Sequence, residues 1–204
     1  MSGCCDNDCA ADALREKQRG TLIAVLVINA VMFFVIVIAA QFAKSTALFA
    51  DSLDNLGDAM TYALSLMVVA SGITAKAKVA LFKGVLILLA ALLVLSQIGY
   101  KLLFPETPIF ELMGIFSLVA LAANSMCLAL LWRHRNEDIN MSSVWECSRN
   151  DIATNLSVFV AAGAVWFFEA GWPDVIVAAA LVILLLQSSV RVISSAMKEL
   201  QPAT

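Results

Sequence analysis

STALFADSLDNLGDAMTYALSLM, residues 45–67, is long and apolar enough to cross a bilayer, yet it carries Asp51, Asp54 and Asp58. The three carboxylates stand at i, i+3 and i+7, so a helix puts them on one face. One carboxylate at the centre of a membrane helix costs about 2.5–3.5 kcal/mol on insertion scales, and three left unpaired would cost roughly 8–10. Helix formation asks for no such expense. A cationic partner is expected on that face.

Outward from this stretch the chain is greasy. Of 204 residues, 61% are hydrophobic and 14% charged, with a mean hydropathy of +0.88. A soluble domain has about a quarter of its residues charged, so the composition indicates an all-α integral membrane protein. Apolar segments fall at about 21–43, 45–70, 79–103, 109–132, 143–168 and 174–197. Each can cross about 30 Å of hydrocarbon at about 1.5 Å per residue. Pro105, Pro108, Gly171 and Pro173 break the chain between segments. The first segment is too long for the roughly 7–15 apolar residues of a signal peptide and reads as a retained span.

The charge distribution orients these six transmembrane helices. With the N-terminus in the cytoplasm, every one of the 13 Lys and Arg residues except Lys44 and Lys101 falls inside. Positive-inside bias therefore predicts both termini cytoplasmic. Residues 1–20 are expected to form a flexible cytoplasmic tail holding Cys4, Cys5 and Cys9, kept as thiols by the reducing compartment. Residues 21–198 form the membrane domain, and 199–204 a short tail with no soluble domain expected after it. No basic patch with interleaved aromatics indicates nucleic acid. No nucleophile–base pair or phosphate loop indicates an enzyme.

Segment five repeats the pattern of segment two. Cys147, Asp151 and Asn155 are each four residues apart, as are Asp54 and Asp58. Two helices that each present an i, i+4 donor pair can close four donors around one ion, the number a tetrahedral cation takes. Asp54, Asp58, Cys147 and Asp151 are therefore the expected metal ligands. Asp51 is expected beside them or at an outer gate, with Asn155 as an orienting group. Carboxylates and thiol bind metal only when deprotonated, so metal and protons compete for the same atoms, which suits proton-coupled antiport around a midplane site. The N-terminal cysteines are a further place where metal could be gathered. Cys127 is expected to pack, Asn29 and Asn124 to hydrogen-bond between helices, His134 to be a solvated turn residue, and Arg149 to reach the inner headgroups.

ALFADSLDNLGD, residues 47–58, resembles the second-helix signature of the cation diffusion facilitators. Cys147, Asp151 and Asn155 are similar to that family's fifth-helix pattern, and Asn124 sits where such transporters often carry a mid-helix Asn. The resemblance covers the whole membrane part. It implies efflux of a divalent transition metal and a homodimer in the cytoplasmic (inner) membrane of a bacterium. Many relatives carry His at the first position of each pair, where this chain has Asp54 and Cys147. Thiolate in place of imidazole softens the set toward Zn²⁺ and Cd²⁺, and toward Hg²⁺, over Mn²⁺ or Mg²⁺. The family's cytoplasmic metal-binding domain is expected to be absent. The alternative is a membrane metal-binding or sensor protein that works through its N-terminal thiols without transport, although a sensor needs an output module. An exporter of organic cations would want aromatic walls, and near Asp54 and Asp58 only Tyr62 offers one.

Overall fold

A computed structural model describes the backbone of residues 4–68, 73–132 and 139–200, and the side chains of 19–64, 66, 77, 78, 80–132, 145 and 148–200. The described residues form six helices: α1 (Cys4–Ala43), α2 (Thr46–Val68), α3 (Ile73–Leu103), α4 (Phe110–Trp132), α5 (Ile139–Phe168) and α6 (Trp172–Leu200). The fold is all-α. Each helix covers one of the six apolar segments.

Two differences from the sequence reading stand out. The flexible tail expected over residues 1–20 is helical from Cys4 onward, continuous with the first span. Its ADALREKQR run is rich in good helix formers, and an already formed span removes the nucleation penalty. Secondly, five of the six helices are long and apolar enough to cross a membrane, and α2 is not by that measure. Its three carboxylates lie within 23 residues. Those 23 residues still reach about 34 Å at 1.5 Å each, and α2 is screened by the helices it touches, α1, α3, α5 and α6. A polar-faced helix at membrane depth is tolerable where protein surrounds it.

Small residues let the helices close up. Ala39, Ala40 and Ala43 of α1, Ala47 and Ala50 of α2, Ala161 and Ala162 of α5 and Ala178 of α6 are all buried in the main core. Between membrane helices such residues let backbones approach, so van der Waals contact can hold what hydrophobicity cannot. The opposite faces carry exposed Phe34, Phe42, Leu103, Val160 and Trp166, a surface that fits hydrocarbon. Tyr100, Phe104, Phe168 and Trp172 mark one end and Trp132 and Trp145 the other, as expected of interfacial aromatics. Arg149 extends to that second end, its guanidinium 5.4 Å from the Trp145 ring centroid.

The α3–α6 pair is the tightest of these contacts. Ser189 Oγ donates to the Gly84 carbonyl at 2.9 Å, and a Cβ on Gly84 would stand 2.6 Å from Ile193 Cγ1 and 3.3 Å from its backbone nitrogen. Gly84→Val should therefore push the two helices apart, at a cost of about 1–3 kcal/mol. A lowered melting temperature of the detergent-solubilised protein is the expected readout, and an unchanged one would show that the seam yields.

At the end of the bundle away from the termini, α1 turns sharply into α2. Lys44 takes a left-handed conformation (φ 53°). Its N–H bonds the Gln41 carbonyl at 3.3 Å, and the Ser45 N–H bonds that of Ala40 at 3.1 Å. That pair of bonds is the Schellman helix ending. Ser45 then caps α2, its Oγ accepting from Leu48 N–H at 3.0 Å.

Candidate metal site

Turning back on itself at Lys44, the chain sends α2 into the middle of the bundle, where it packs on α5. The carboxyl groups of Asp58 and Asp151 are hydrogen-bonded to each other across that contact. Two carboxyls can share such a bond only if a proton lies between them. Asp54 adds its charge beside both Asp51 and Asp58. Asp51, Asp58 and Asp151 are buried, at 1%, 8% and 8% exposure, and Asp54 is half-buried. Of the expected ligands, Asp58 and Asp151 are thus brought together, with Asp54 adjoining. The side chains of Cys147, Cys4, Cys5 and Cys9 lie outside the described residues, as does His134. Among the described residues no three of His, Cys, Asp or Glu converge as a metal would require.

Asn55 and Asn155 hold matching positions on the two helices. Each stands four residues beyond an aspartate, and its amide nitrogen donates back to that residue's carbonyl: Asn55 to Asp51 at 3.0 Å, Asn155 to Asp151 at 2.7 Å. Their carbonyl oxygens point elsewhere. Asn55 Oδ1, Asn155 Oδ1, Asp51 Oδ2, Asn29 Oδ1 and Asn124 Oδ1 are buried with no hydrogen-bond partner. All five are acceptors. Buried acceptors without donors are costly, and oxygens of this kind suit a cation or an ordered water.

Two neighbours, Lys83 and Asn55, were not singled out as site residues in the sequence. Lys83, counted there only for its side of the membrane, sits on α3 with its ammonium donating to Thr61 Oγ1, and its charge acts on Asp58. It supplies one of the cations the acidic face called for. Asn55 stands between Asp54 and Asp58, and its i+4 offset from Asp51, which matches that of Asn155 from Asp151, is the signal that could have marked it. Cys127 is buried as expected, but it does more than pack, accepting from Asn29 Nδ2 at 3.8 Å within reach of the charge on Asp58. Tyr62, fully buried one turn beyond Asp58, interacts with that carboxyl.

A further acid lies away from this group. Asp174, at the start of α6, is wholly buried and receives Ser45 Oγ at 2.6 Å, Thr46 N–H at 2.9 Å and Ala47 N–H at 3.1 Å. Lys101 Nζ from the end of α3 reaches the same carboxylate at 2.8 Å and the Lys44 carbonyl at 2.5 Å. A carboxylate on a helix N-terminus satisfies N–H groups that have no partner within the helix and favours the positive end of its dipole.

Compared with known families, residues 22–201 match the model of the cation efflux transmembrane domain. No curated protein matches the chain.

Proposed function

Because the chain belongs to the cation efflux family, and is on that ground an integral membrane cation transporter, we propose that its cargo is a divalent transition metal of the Zn²⁺/Cd²⁺ type. It is exchanged for protons at a four-donor site of Asp54, Asp58, Cys147 and Asp151. The observation that carries this reading is the hydrogen bond between the Asp58 and Asp151 carboxyls. It joins the two helices through a proton that a metal must displace in order to bind both oxygens.

In the metal-free protein, Asp58 and Asp151 hold a shared proton while Lys83 offsets part of the remaining negative charge. A dication arriving from the cytoplasm takes the deprotonated carboxylates and the Cys147 thiolate, and protons leave toward that side. Asp51, nearer the outer end of α2, stands where a released ion would pass, and its Oδ2 has no protein partner. Asn155 holds its amide on the Asp151 backbone and so fixes where its carbonyl oxygen sits beside the site. When the site faces outward, protons reoccupy the carboxyls and the metal departs. Helices that rock around a fixed midplane site suffice for this cycle.

The sign of the pH dependence follows. Protons and metal compete, so metal affinity falls as pH falls, by up to about tenfold per pH unit for each proton displaced. In proteoliposomes carrying a zinc-sensitive dye, uptake should accelerate when the lumen is more acidic than the bath and slow when the gradient is collapsed. Uptake indifferent to the gradient would remove the antiport reading while leaving metal transport intact. The N-terminal cysteines are a second, accessory binding place in this proposal, and assembly as a homodimer in a bacterial cytoplasmic membrane belongs to it as well.

A further inference from the structure

The membrane-embedded acids Asp51, Asp54, Asp58 and Asp151 all have a place in the transport cycle. Asp174 does not. It sits at the end of the bundle that the distribution of Lys and Arg places outside, and its carboxylate, carried by α6, takes four bonds from two other elements, three from the α1–α2 corner and one from α3. We propose that Asp174, Lys101 and the Ser45–Ala47 segment form a latch that holds the outer end of α2 against α3 and α6, and that the path opens outward only when α2 leaves Asp174. This rests on the transport reading above.

Three observations carry the latch. First, the elements it joins differ in how firmly they are joined elsewhere. α3 and α6 approach closely at Gly84, where Ile193 stands against it and Ser189 donates to its carbonyl, and the parting proposed is that of the α2–α6 seam. Second, the latch is at the head of the helix that carries the acids. Asp51 is four residues beyond Ala47, and the partnerless oxygens of Asp51 and Asn55 lie along α2 between the latch and Asp58. Third, release is inexpensive on the α2 side. Thr46 and Ala47 N–H groups are at a helix terminus, where water entering the opened seam can replace the carboxylate. Asp174 keeps Lys101 at 2.8 Å as its counter-charge when α2 departs. The three donors of the Ser45–Ala47 segment sit on consecutive residues and leave the carboxylate together, which gives two discrete states rather than a gradual loosening.

The test is accessibility. Ala50 is 1% exposed on α2, one turn below the latch, and Ala91 is wholly buried on α3, within the α3–α6 cluster. Ala50→Cys and Ala91→Cys reporters are placed separately in the full chain, reconstituted in vesicles. Both are treated from the outer side with a membrane-impermeant thiol reagent, and peptide mass spectrometry locates the label. Asp174→Asn is expected to label Ala50→Cys on the order of tenfold faster than the parent, because bonds to a charged acceptor are lost. Labelling of Ala91→Cys should be unchanged. Ser45→Ala, which deletes one of the four bonds to the latch together with the cap on Leu48 N–H, should move the same reporter in the same direction by less. Equal acceleration at both reporters would make Asp174 a structural staple and overturn the proposal. So would an unaltered rate at Ala50→Cys in Asp174→Asn, or in Ser45→Ala should Asp174→Asn not be recovered folded. Zinc uptake measured on the same vesicles separates the two readings. Faster labelling with no zinc uptake by the parent protein keeps the latch and ends the metal-transport reading; zinc uptake with unaltered labelling ends the latch alone.

Discussion

Asp58→Asn and Asp151→Asn are each expected to reduce zinc uptake by a factor on the order of 100 or more, with the protein still eluting as an intact species from size exclusion. The estimate is a lower one, since outer partners of metal ligands already cost 10–100-fold when removed. The amide keeps the volume and the hydrogen-bonding reach of the carboxyl, so the Asp58–Asp151 contact can persist and the fold with it. What it loses is the negative charge for the metal and the ability to take up and give back a proton. The two losses have separate signatures. Binding of Zn²⁺ by calorimetry should weaken in either variant, and the binding that remains should release fewer protons, seen as a smaller dependence of the heat on buffer ionisation. Full uptake in both variants would mean that the pair is a structural hydrogen bond between α2 and α5 and that the cargo passes elsewhere. Asp51→Asn should be milder, because the hydrogen bond joining α2 to α5 does not involve it.

The second large effect concerns selectivity. Cys147→Ser should lower Cd²⁺ affinity by about 100-fold and Mn²⁺ affinity by less than about tenfold, measured by calorimetry on the purified transporter. Thiolate is a soft donor that forms strong bonds with Cd²⁺ and Zn²⁺, whereas a serine hydroxyl is hard and stays protonated near neutral pH. Parallel losses for both metals would place Cys147 in the packing of α5 rather than at the ion. The mean change over all metals is uninformative here; the ratio carries the argument.

The residues that the sequence marks and those it hides differ in the range of their interactions. Asp51, Asp54 and Asp58 stand out because an apolar helix has no reason to carry them, and Asp151 because it completes a four-residue spacing with Cys147 and Asn155. These are local patterns set against a hydrophobic background, where each carboxylate costs too much to be incidental. Lys83 carries the same kind of signal, but a lysine near a helix end is also what positive-inside bias predicts, so its charge was absorbed by the simpler explanation. Asp174 is the clearest case. In the sequence it belongs to a Gly- and Pro-punctuated turn, where an aspartate before an apolar run is ordinary. Its partner Ser45 is 129 positions away and Lys101 is 73.

By itself, then, the chain's alternation of apolar runs with charged corners determined an all-helical membrane protein of six segments, the helix face on which its acids stand and the side on which its cations gather. Each of these follows from the cost of placing polar groups in hydrocarbon, a quantity read residue by residue. Only the tertiary structure decided that Asp58 meets Asp151, that Lys83 turns its charge toward them, and that a buried carboxylate on α6 caps the helix bearing the site. Those pairings depend on which helices dock and in what rotation. Small residues such as Ala47, Ala161 and Ala178 permit close docking at many angles, and it is the buried polar bonds, each costly to leave unmade, that select one of them.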